Sequence, residues 1–328
     1  MAHEIEINEN GTVSMAYAGE TPWHGLGKRV PNDLSPEQML VAANLDWTVE
    51  RRPLFFEDAK GNRVLTQSTV LVRSTDEKVL TVVSDKWNPV QNIDAFNFFN
   101  EFVHAGDMEM HTAGSLKGGK MVWALAKIKD SFEVFGGDTV EGYLLFSNPH
   151  EFGRSIDIRF THIRVVCNNT MTIALKNSTA HSVKVNHRSV FNGDQVKQTL
   201  GIAKDRLEAY KEQAEFLGKR KYKKETLTEY FNRVFPTLSK DDAKSSIATI
   251  CTVPQSRQAE EAMAVIHTQP GASFAEGSWW QAFNTVTYMA DHTLGRSRDT
   301  RLHSSWFGMN RLKKEKALEL AIEYAEVA

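Results

Sequence analysis

The stretch Gly114-Ser115-Leu116-Lys117-Gly118-Gly119-Lys120-Met121-Val122-Trp123-Ala124-Leu125-Ala126-Lys127-Ile128 admits two readings that lead to different folds. Its first seven residues match G-x-x-x-x-G-K, the opening of a phosphate-binding loop that runs into a helix. The eighth position is Met121, which has no hydroxyl for a magnesium ion, and Met121 to Ile128 reads as a strand rather than as a helix whose N-terminus would face phosphates. The glycines then belong to a hairpin tip that needs positive φ, between strands at Met108 to His111 and Met121 to Ile128. The tip lysines stay candidates for contact with a phosphate backbone.

Outward from this hairpin the first half of the chain mixes strand and helix. Ser35-Pro36-Glu37-Gln38 supplies an N-cap, a proline at the first helical position and a capping-box glutamine, which predicts a helix to about Leu45. Val64 to Arg73 and Val79 to Ser84 flank the turn-prone Ser74-Thr75-Asp76 and predict an antiparallel hairpin. Ile93, Phe96, Phe99, Asn100 and Val103 recur at helical spacing, and Val140 to Phe146 and Ser155 to Val166 predict further strands. From residue 194 the pattern is helical. Val196, Leu200, Ala203, Leu207, Tyr210, Ala214 and Leu217 form a seam at steps of four and three, opened by Asp194 and closed by Gly218. Such a seam is more often an intramolecular packing stripe than a dimeric coiled coil, yet it also offers an apolar surface for assembly. More helices are predicted at about 225–235, 239–251, 255–268, 278–292 and 310–326. The expected fold is α+β: an antiparallel sheet with helices and an N-terminal arm over residues 1–193, then a helical C-terminal region over 194–328.

The chain has 328 residues, 41% hydrophobic and 24% charged, an ordinary globular composition. Two cysteines, Cys167 and Cys251, exclude a disulfide framework and a four-thiolate zinc site. The start MAHEIEINEN lacks the layout of a signal peptide, and no apolar run nears the roughly 18 residues of a membrane span, so the expected location is the cytoplasm. The net charge of −2 hides a segregation. Residues 1–150 carry 13 Lys+Arg against 21 Asp+Glu, residues 151–224 carry 15 against 7, and residues 225–328 carry 11 against 13. A basic middle segment points to nucleic acid or to an acidic neighbour within the same chain.

Catalytic and metal chemistry find little footing. Cys167, at the end of an apolar strand, reads as core rather than as a thiol nucleophile, and Asn168-Asn169-Thr170 as the cap of a helix to about Leu175. The eleven histidines have no HxH or HxxxH spacing, so no metal ligand, catalytic residue or cofactor is assigned. Basic residues are more promising. Along Ser155 to Thr161, Ile156, Ile158 and Phe160 alternate with Asp157 and Arg159, as in a sheet packed beneath and charged above. Lys117, Lys120, Arg154, Arg159 and Arg164 are the candidate phosphate contacts, with Trp87 as a base-stacking aromatic. A second candidate site joins Trp280, Asn284, Tyr288 and His292, four apart on a helix capped by Ser278, to Arg296, Arg298 and Arg301 of the following loop. Its bland alternative is a buried polar network.

Four segments carry a resemblance: Pro22-Trp23-His24-Gly25-Leu26-Gly27, Arg164-Val165-Val166-Cys167-Asn168-Asn169-Thr170, Asn284-Thr285-Val286-Thr287-Tyr288-Met289-Ala290-Asp291-His292 and Trp306-Phe307-Gly308. Together they resemble the phage/plasmid-like family carried as domain of unknown function 932, which implies a mobile-element origin and no particular reaction. The layout of hairpins, helix and basic strands is similar to that of Rad-type and phage single-strand annealing proteins, from which no residue is carried over. These resemblances imply a non-enzymatic protein that binds single-stranded DNA and anneals it in recombination or replication, as a homo-oligomer without membrane contact. The alternative is an accessory or counter-defence protein that binds a host protein. A hydrolase ranks third, since the carboxylates are dispersed.

Overall fold

A computed structural model describes residues 5–8, 11–22, 25–135, 137–164, 169–171, 182–200, 203–237, 253–295, 297 and 300–328. The order of elements is β1 (Met15–Ala18), β2 (Lys28–Val30), α1 (Pro36–Ala42), β3 (Val49–Glu57), β4 (Arg63–Arg73), β5 (Val79–Ser84), α2 (Asn92–Asn97), α3 (Asn100–His104), β6 (Met108–Leu116), β7 (Met121–Glu133), β8 (Thr139–Pro149), β9 (Ile156–Arg164), β10 (Asn169–Met171) and β11 (Ser182–Val185). There follow α4 (Gly193–Leu200), α5 (Ala203–Lys219), α6 (Lys224–Val234), α7 (Arg257–Val265), α8 (Trp279–Tyr288), a π-helical turn (Met289–Thr293), α9 (Arg301–Phe307) and α10 (Met309–Glu326). The fold is α+β, with a large antiparallel-rich sheet and C-terminal helices.

The sheet runs β10-β9-β8-β7-β6-β1-β2, with β11 also paired to β9, and β3-β4-β5 form a separate antiparallel sheet. Contacts divide the chain into two units: Met1–Asp130, Gly142–Phe160 and Thr179–Ala203 in the first, and Ser131–Glu141, Thr161–Ser178 and Lys204–Ala328 in the second. In the first unit, Val122, Ala124, Ala126 and Ile128 of β7 alternate along one face and join α1 residues Met39 and Leu40 and α2 residue Phe96 in the core. Side chains two apart on a strand share a face, which is why this set buries together. Met121, Trp123 and Leu125 on the opposite face are also buried. The helix α1 begins as predicted: Ser35 Oγ accepts from Gln38 N and Gln38 Oε1 accepts from Ser35 N.

In the second unit α8 is buried on every side, from Trp279 to Thr287. A helix without a polar face must be central, and Tyr230, Phe231, Ala317 and Ala321 of α6 and α10 lie in the core around it. Ser278 caps α8 by accepting from Gln281 N.

Several expectations change. Asn169–Met171 is a strand paired with Arg164–His162, not a helix under an asparagine cap, because ladder bonds to β9 compete with the local capping bonds. The seam from residue 196 divides between α4 and α5. Val196 packs in the first core and Tyr210, Ala214 and Leu217 in the second, so these positions are interior and offer no surface for assembly. Residues 301–303, read as loop, begin α9. The strand β3 carried no sequence expectation. Cys167, His181, the Trp23-His24 pair and the helix predicted at 239–251 lie outside the described residues. Among the described residues no helix is long and apolar enough to cross a membrane.

Trp280 tests the second core: it is 1% exposed and its Nε1 donates to Asp138 Oδ2 at 3.1 Å. Trp280→Ala is expected to cost about 3–5 kcal/mol in urea unfolding, as large aromatics removed from cores do. Trp280→Phe, which keeps a ring but removes the indole donor, should fall between; a loss under about 1 kcal/mol for the alanine variant would contradict this packing.

Candidate functional site

Three of the predicted phosphate contacts come together at the β6–β7 tip. Lys117 and Gly118 at the start of the turn both have positive φ, at 55° and 64°, the backbone of a tight hairpin turn. Gly119 follows at φ 91°, and a Cβ there would sit 3.0 Å from Arg73 Nη1. The peptide of the tip thus approaches the β4–β5 turn more closely than any side-chain-bearing residue allows. Lys117 Nζ lies 4.0 Å from Glu151 Oε2, and Arg154 Nε forms an ion pair with the same oxygen at 3.0 Å. The carbonyl of Lys120 accepts from His150 N at 2.8 Å, which holds the end of β8 against the tip.

Two further cations arrive from the β4–β5 turn. Arg73 is buried and doubly bonded to Asp76 at 2.9 and 2.6 Å, and its Nη1 donates to Glu6 at 2.7 Å. Hydrogen bonds to Asp76 and Glu6 raise the Arg73 pKa despite burial, and the same guanidinium holds Asp76 down to about 2. Lys78 Nζ stands 3.6 Å from Glu6. The tip region therefore gathers four cations, Arg73, Lys78, Lys117 and Arg154, around three carboxylates, Glu6, Asp76 and Glu151, with Lys120 at the end of the same turn.

Beneath the tip lies a layer of neutral polar side chains. Asn92 Nδ2 donates to the carbonyls of Leu45 and Trp47, so its Oδ1 faces His150 Nε2 at 2.9 Å. That arrangement makes Nε2 the protonated nitrogen and leaves the Nδ1 lone pair buried without a partner. Burial, aided by nearby His187, lowers the His150 pKa to about 3. His187 stacks on Trp87 with ring centroids 4.0 Å apart and donates from Nδ1 to the Asn88 carbonyl at 3.3 Å. Its pKa is lowered to about 4 by burial, against the carbonyls of Asn88 and Pro149. Neutral imidazoles at zero and 1% exposure serve here as a rigid floor.

The remaining first-set residues fall elsewhere. Trp87 is 6% exposed and spends its face on His187, so the base-stacking role does not pass to it. Arg159 is 7% exposed and paired with Asp157, itself buried, since both faces of β9 are covered; the open charged face expected of this strand is not present. Arg164 lies in β9, but its side chain is outside the described set.

Exposed aromatics occur instead on β3, opposite exposed aliphatic residues of β4. Phe55 pairs with Leu65 and Phe56 with Val64, and these four are 47%, 61%, 54% and 36% exposed. Adjacent residues of a strand face opposite ways, so this two-stranded arm is apolar on both faces. Arg51, Arg52, Lys60 and Arg63 surround it with Glu50, Glu57 and Asp58. The sequence signal was present: paired phenylalanines break the in–out alternation of an ordinary half-buried strand. Arg73, Lys78 and Glu151 had none, since only the folded chain brings them to the tip.

The second candidate set lies in the second unit. Trp280 and Asn284 are buried, with Asn284 Nδ2 bonded to the Trp280 carbonyl at 2.8 Å, as the bland alternative of a polar network required. Arg301 is 8% exposed and donates to the carbonyls of Leu294 and Thr293. Tyr288 and His292 are half-buried, with ring centroids 5.0 Å apart, where α8 passes into the π turn. That turn is held by Asn310 and Ser305, which donate to the Ala290 carbonyl, and by the buried Asp291–Lys314 pair at 2.9 Å. Arg296 and Arg298 lie outside the described residues. Among the described residues no three His, Cys, Asp or Glu side chains gather as metal ligands.

Residues 79–307 match the model of the family described as domain of unknown function (DUF932). The match takes in the β6–β7 tip, His150, His187 and α8, and leaves out the β3–β4 arm, Arg73 and Glu6. No curated protein and no solved structure matches the chain.

The floor makes stability depend on pH. Both histidines have folded pKa values below the ordinary value, so the unfolded chain binds more protons. Their contribution is full above about pH 6.5 and is lost as pH falls toward 4 and below, with a slope of up to about 1.4 kcal/mol per pH unit for each histidine. Urea unfolding between pH 7 and pH 5 should show this loss, and His150→Gln should flatten it; an unchanged slope in that variant would remove His150 as the cause.

Proposed function

The chain belongs to the DUF932 family, and we propose that this member is a phage or plasmid protein that binds single-stranded DNA and anneals it in recombination or replication. The observation that carries the reading is the surplus of cations in the ion-pair cluster at the β6–β7 tip, four against three carboxylates within one unit. Phosphate backbones are bound by such clusters through counterion release, with little demand on sequence. Lys117, Lys120, Lys78 and Arg154 are only partly buried, so a strand can reach them without unfolding the unit.

A second reading, an accessory protein that binds a host protein, has its own support in the β3–β4 arm. Apolar side chains exposed on both faces with a mixed-charge rim suit a protein surface better than a polyanion, because Arg52 is already spent on Glu50 and Glu77. The arm is also where self-association would act, since the described seam positions Val196, Tyr210, Ala214 and Leu217 are buried. Pro53 and the flanking arginines of β3 discourage open-ended edge pairing, which favours face packing of the arm.

Affinity for an oligothymidylate should fall with salt at a slope of roughly −0.7 per phosphate contact. Lys117→Ala, Lys120→Ala and Arg154→Ala together should weaken binding and flatten the slope by about two units. Melting temperature should hardly move, since partly exposed ion pairs contribute below about 1 kcal/mol each. Absence of binding at low salt by folded protein would sink the DNA reading and leave the protein-partner reading in its place.

Light scattering should find an assembly larger than a monomer, and Phe55→Ser with Phe56→Ser should reduce its mass while the triple tip variant does not. A strictly monomeric wild-type protein at micromolar concentration would count against assembly.

A further inference from the structure

The carboxylate of Glu6 sits in the basic tip in a way that a plain ion pair does not account for. The N-terminal segment reaches the tip by ladder bonds: Ile5 bridges Leu116, Glu6 N donates to Ser115 O at 3.1 Å, and Ser14 N donates to Glu6 O at 2.9 Å. Glu6 is 5% exposed. Its Oε1 takes both cations, Arg73 Nη1 at 2.7 Å and Lys78 Nζ at 3.6 Å. Its Oε2 is buried with no hydrogen-bond partner. An orphaned buried acceptor is a cost that a structural ion pair has no reason to carry, and it marks the Glu6 carboxylate as an imperfect occupant of the position beside Arg73 Nη1 and Lys78 Nζ.

The backbone around Glu6 is cleared on the same side. A Cβ on Gly118 would fall 2.4 Å from Lys78 Nζ and 4.0 Å from Glu6 Oε1, and one on Gly119 would fall 3.0 Å from Arg73 Nη1. Two consecutive glycines thus leave the guanidinium, the ammonium and bare peptide around one point. The rest of Arg73 is fixed: Nε and Nη2 are held by Asp76, and its carbon end lies 5.4 Å from the Trp47 ring centre. Nη1 is the donor left for the occupant of this space. With the Glu6 carboxylate removed, Arg73 and Lys78 against Asp76 leave one positive charge.

We propose that this space is an oxyanion seat for a phosphoryl group and that Glu6 occupies it as a resident stand-in, closing it until the N-terminal segment moves aside. A phosphoryl group offers acceptor oxygens in several directions, so separate oxygens can take Nη1 and Nζ, which in Glu6 both fall on Oε1. The owner of the phosphate, a DNA backbone rather than a free ion, rests on the reading given above; the seat itself does not.

The test uses the full chain and inorganic phosphate at constant ionic strength, with calorimetric titration of wild type, Glu6→Gln and Glu6→Ala. Glu6→Ala should bind phosphate at least about tenfold more tightly than wild type, with Glu6→Gln, which keeps the packing and loses the charge, also gaining. Adding Arg73→Met to Glu6→Gln should abolish the gain. Equal phosphate affinity in wild type and both Glu6 variants, or a gain that survives Arg73→Met, overturns the seat. Should Glu6→Ala fail to fold, Glu6→Gln decides alone. A parallel titration with a short oligothymidylate separates the sources. A matching gain supports a seat for backbone phosphate, and a gain for phosphate alone supports the seat for a free ion while removing DNA as its ligand.

Discussion

A guanidinium taken out of water must have its donors answered, and in the first unit Arg73 is that constraint. Its side chain reaches Asp76 on the β4–β5 turn, Glu6 on the N-terminal segment and the face of Trp47 ahead of β3, while its backbone N closes the turn onto Lys78 O. Removing any one partner leaves charge buried without compensation, a more expensive state than either the full network or an apolar replacement. The approach of the β6–β7 tip follows from the same group, since glycine at position 119 is what lets the tip peptide lie against Nη1. The candidate site is thus a by-product of satisfying one buried cation with elements from three parts of the chain.

Both units bury an ion pair, Arg73 with Glu6 in the first and Asp291 with Lys314 in the second, and each adds neutral polar groups in its own way. In the first, Asn92, His150 and His187 are kept neutral and paired with carbonyls, so burial costs hydrogen-bond geometry rather than charge. In the second, the C-terminal end of α8 widens into a π turn, and Asp291 with Lys314 is buried as an ion pair beside Asn310 and Ser305. A π turn inserts an extra residue into a helix and is kept where neighbouring groups repay the lost ladder bond. Here Asn310 and Ser305 both bond the Ala290 carbonyl, which supplies that compensation.

Local chemistry was legible in the sequence wherever one short segment settles its own backbone. Ser35 to Gln38 forms the capping box because both partners lie within four residues, and Ser278 caps α8 for the same reason. The hairpin rather than the phosphate-binding loop at residues 114–128 followed from Met121 and from the strand-like run after it, and the antiparallel α+β class followed from that hairpin and its neighbours. The aromatic pair at Phe55 and Phe56 was visible too, as a break in alternation, although β3 itself was not identified.

What lies over a face was decided by tertiary structure alone. Alternation along β9 correctly sets Ile156, Ile158 and Phe160 against Asp157 and Arg159, but period two says only which side chains share a face. The burial of both faces turned the expected open charge into a closed pair. The heptad spacing from Val196 to Leu217 is likewise real as spacing, yet Val196 serves one core and Tyr210, Ala214 and Leu217 another. Trp87 became a stacking partner of His187, a residue one hundred positions later in the chain, and Glu6, Arg73, Glu151 and the tip lysines met only through such long-range closure. A sequence determines periodicity and caps because these act over a few residues; which charge ends beside which is set by contacts between distant segments, whose energies no local pattern records.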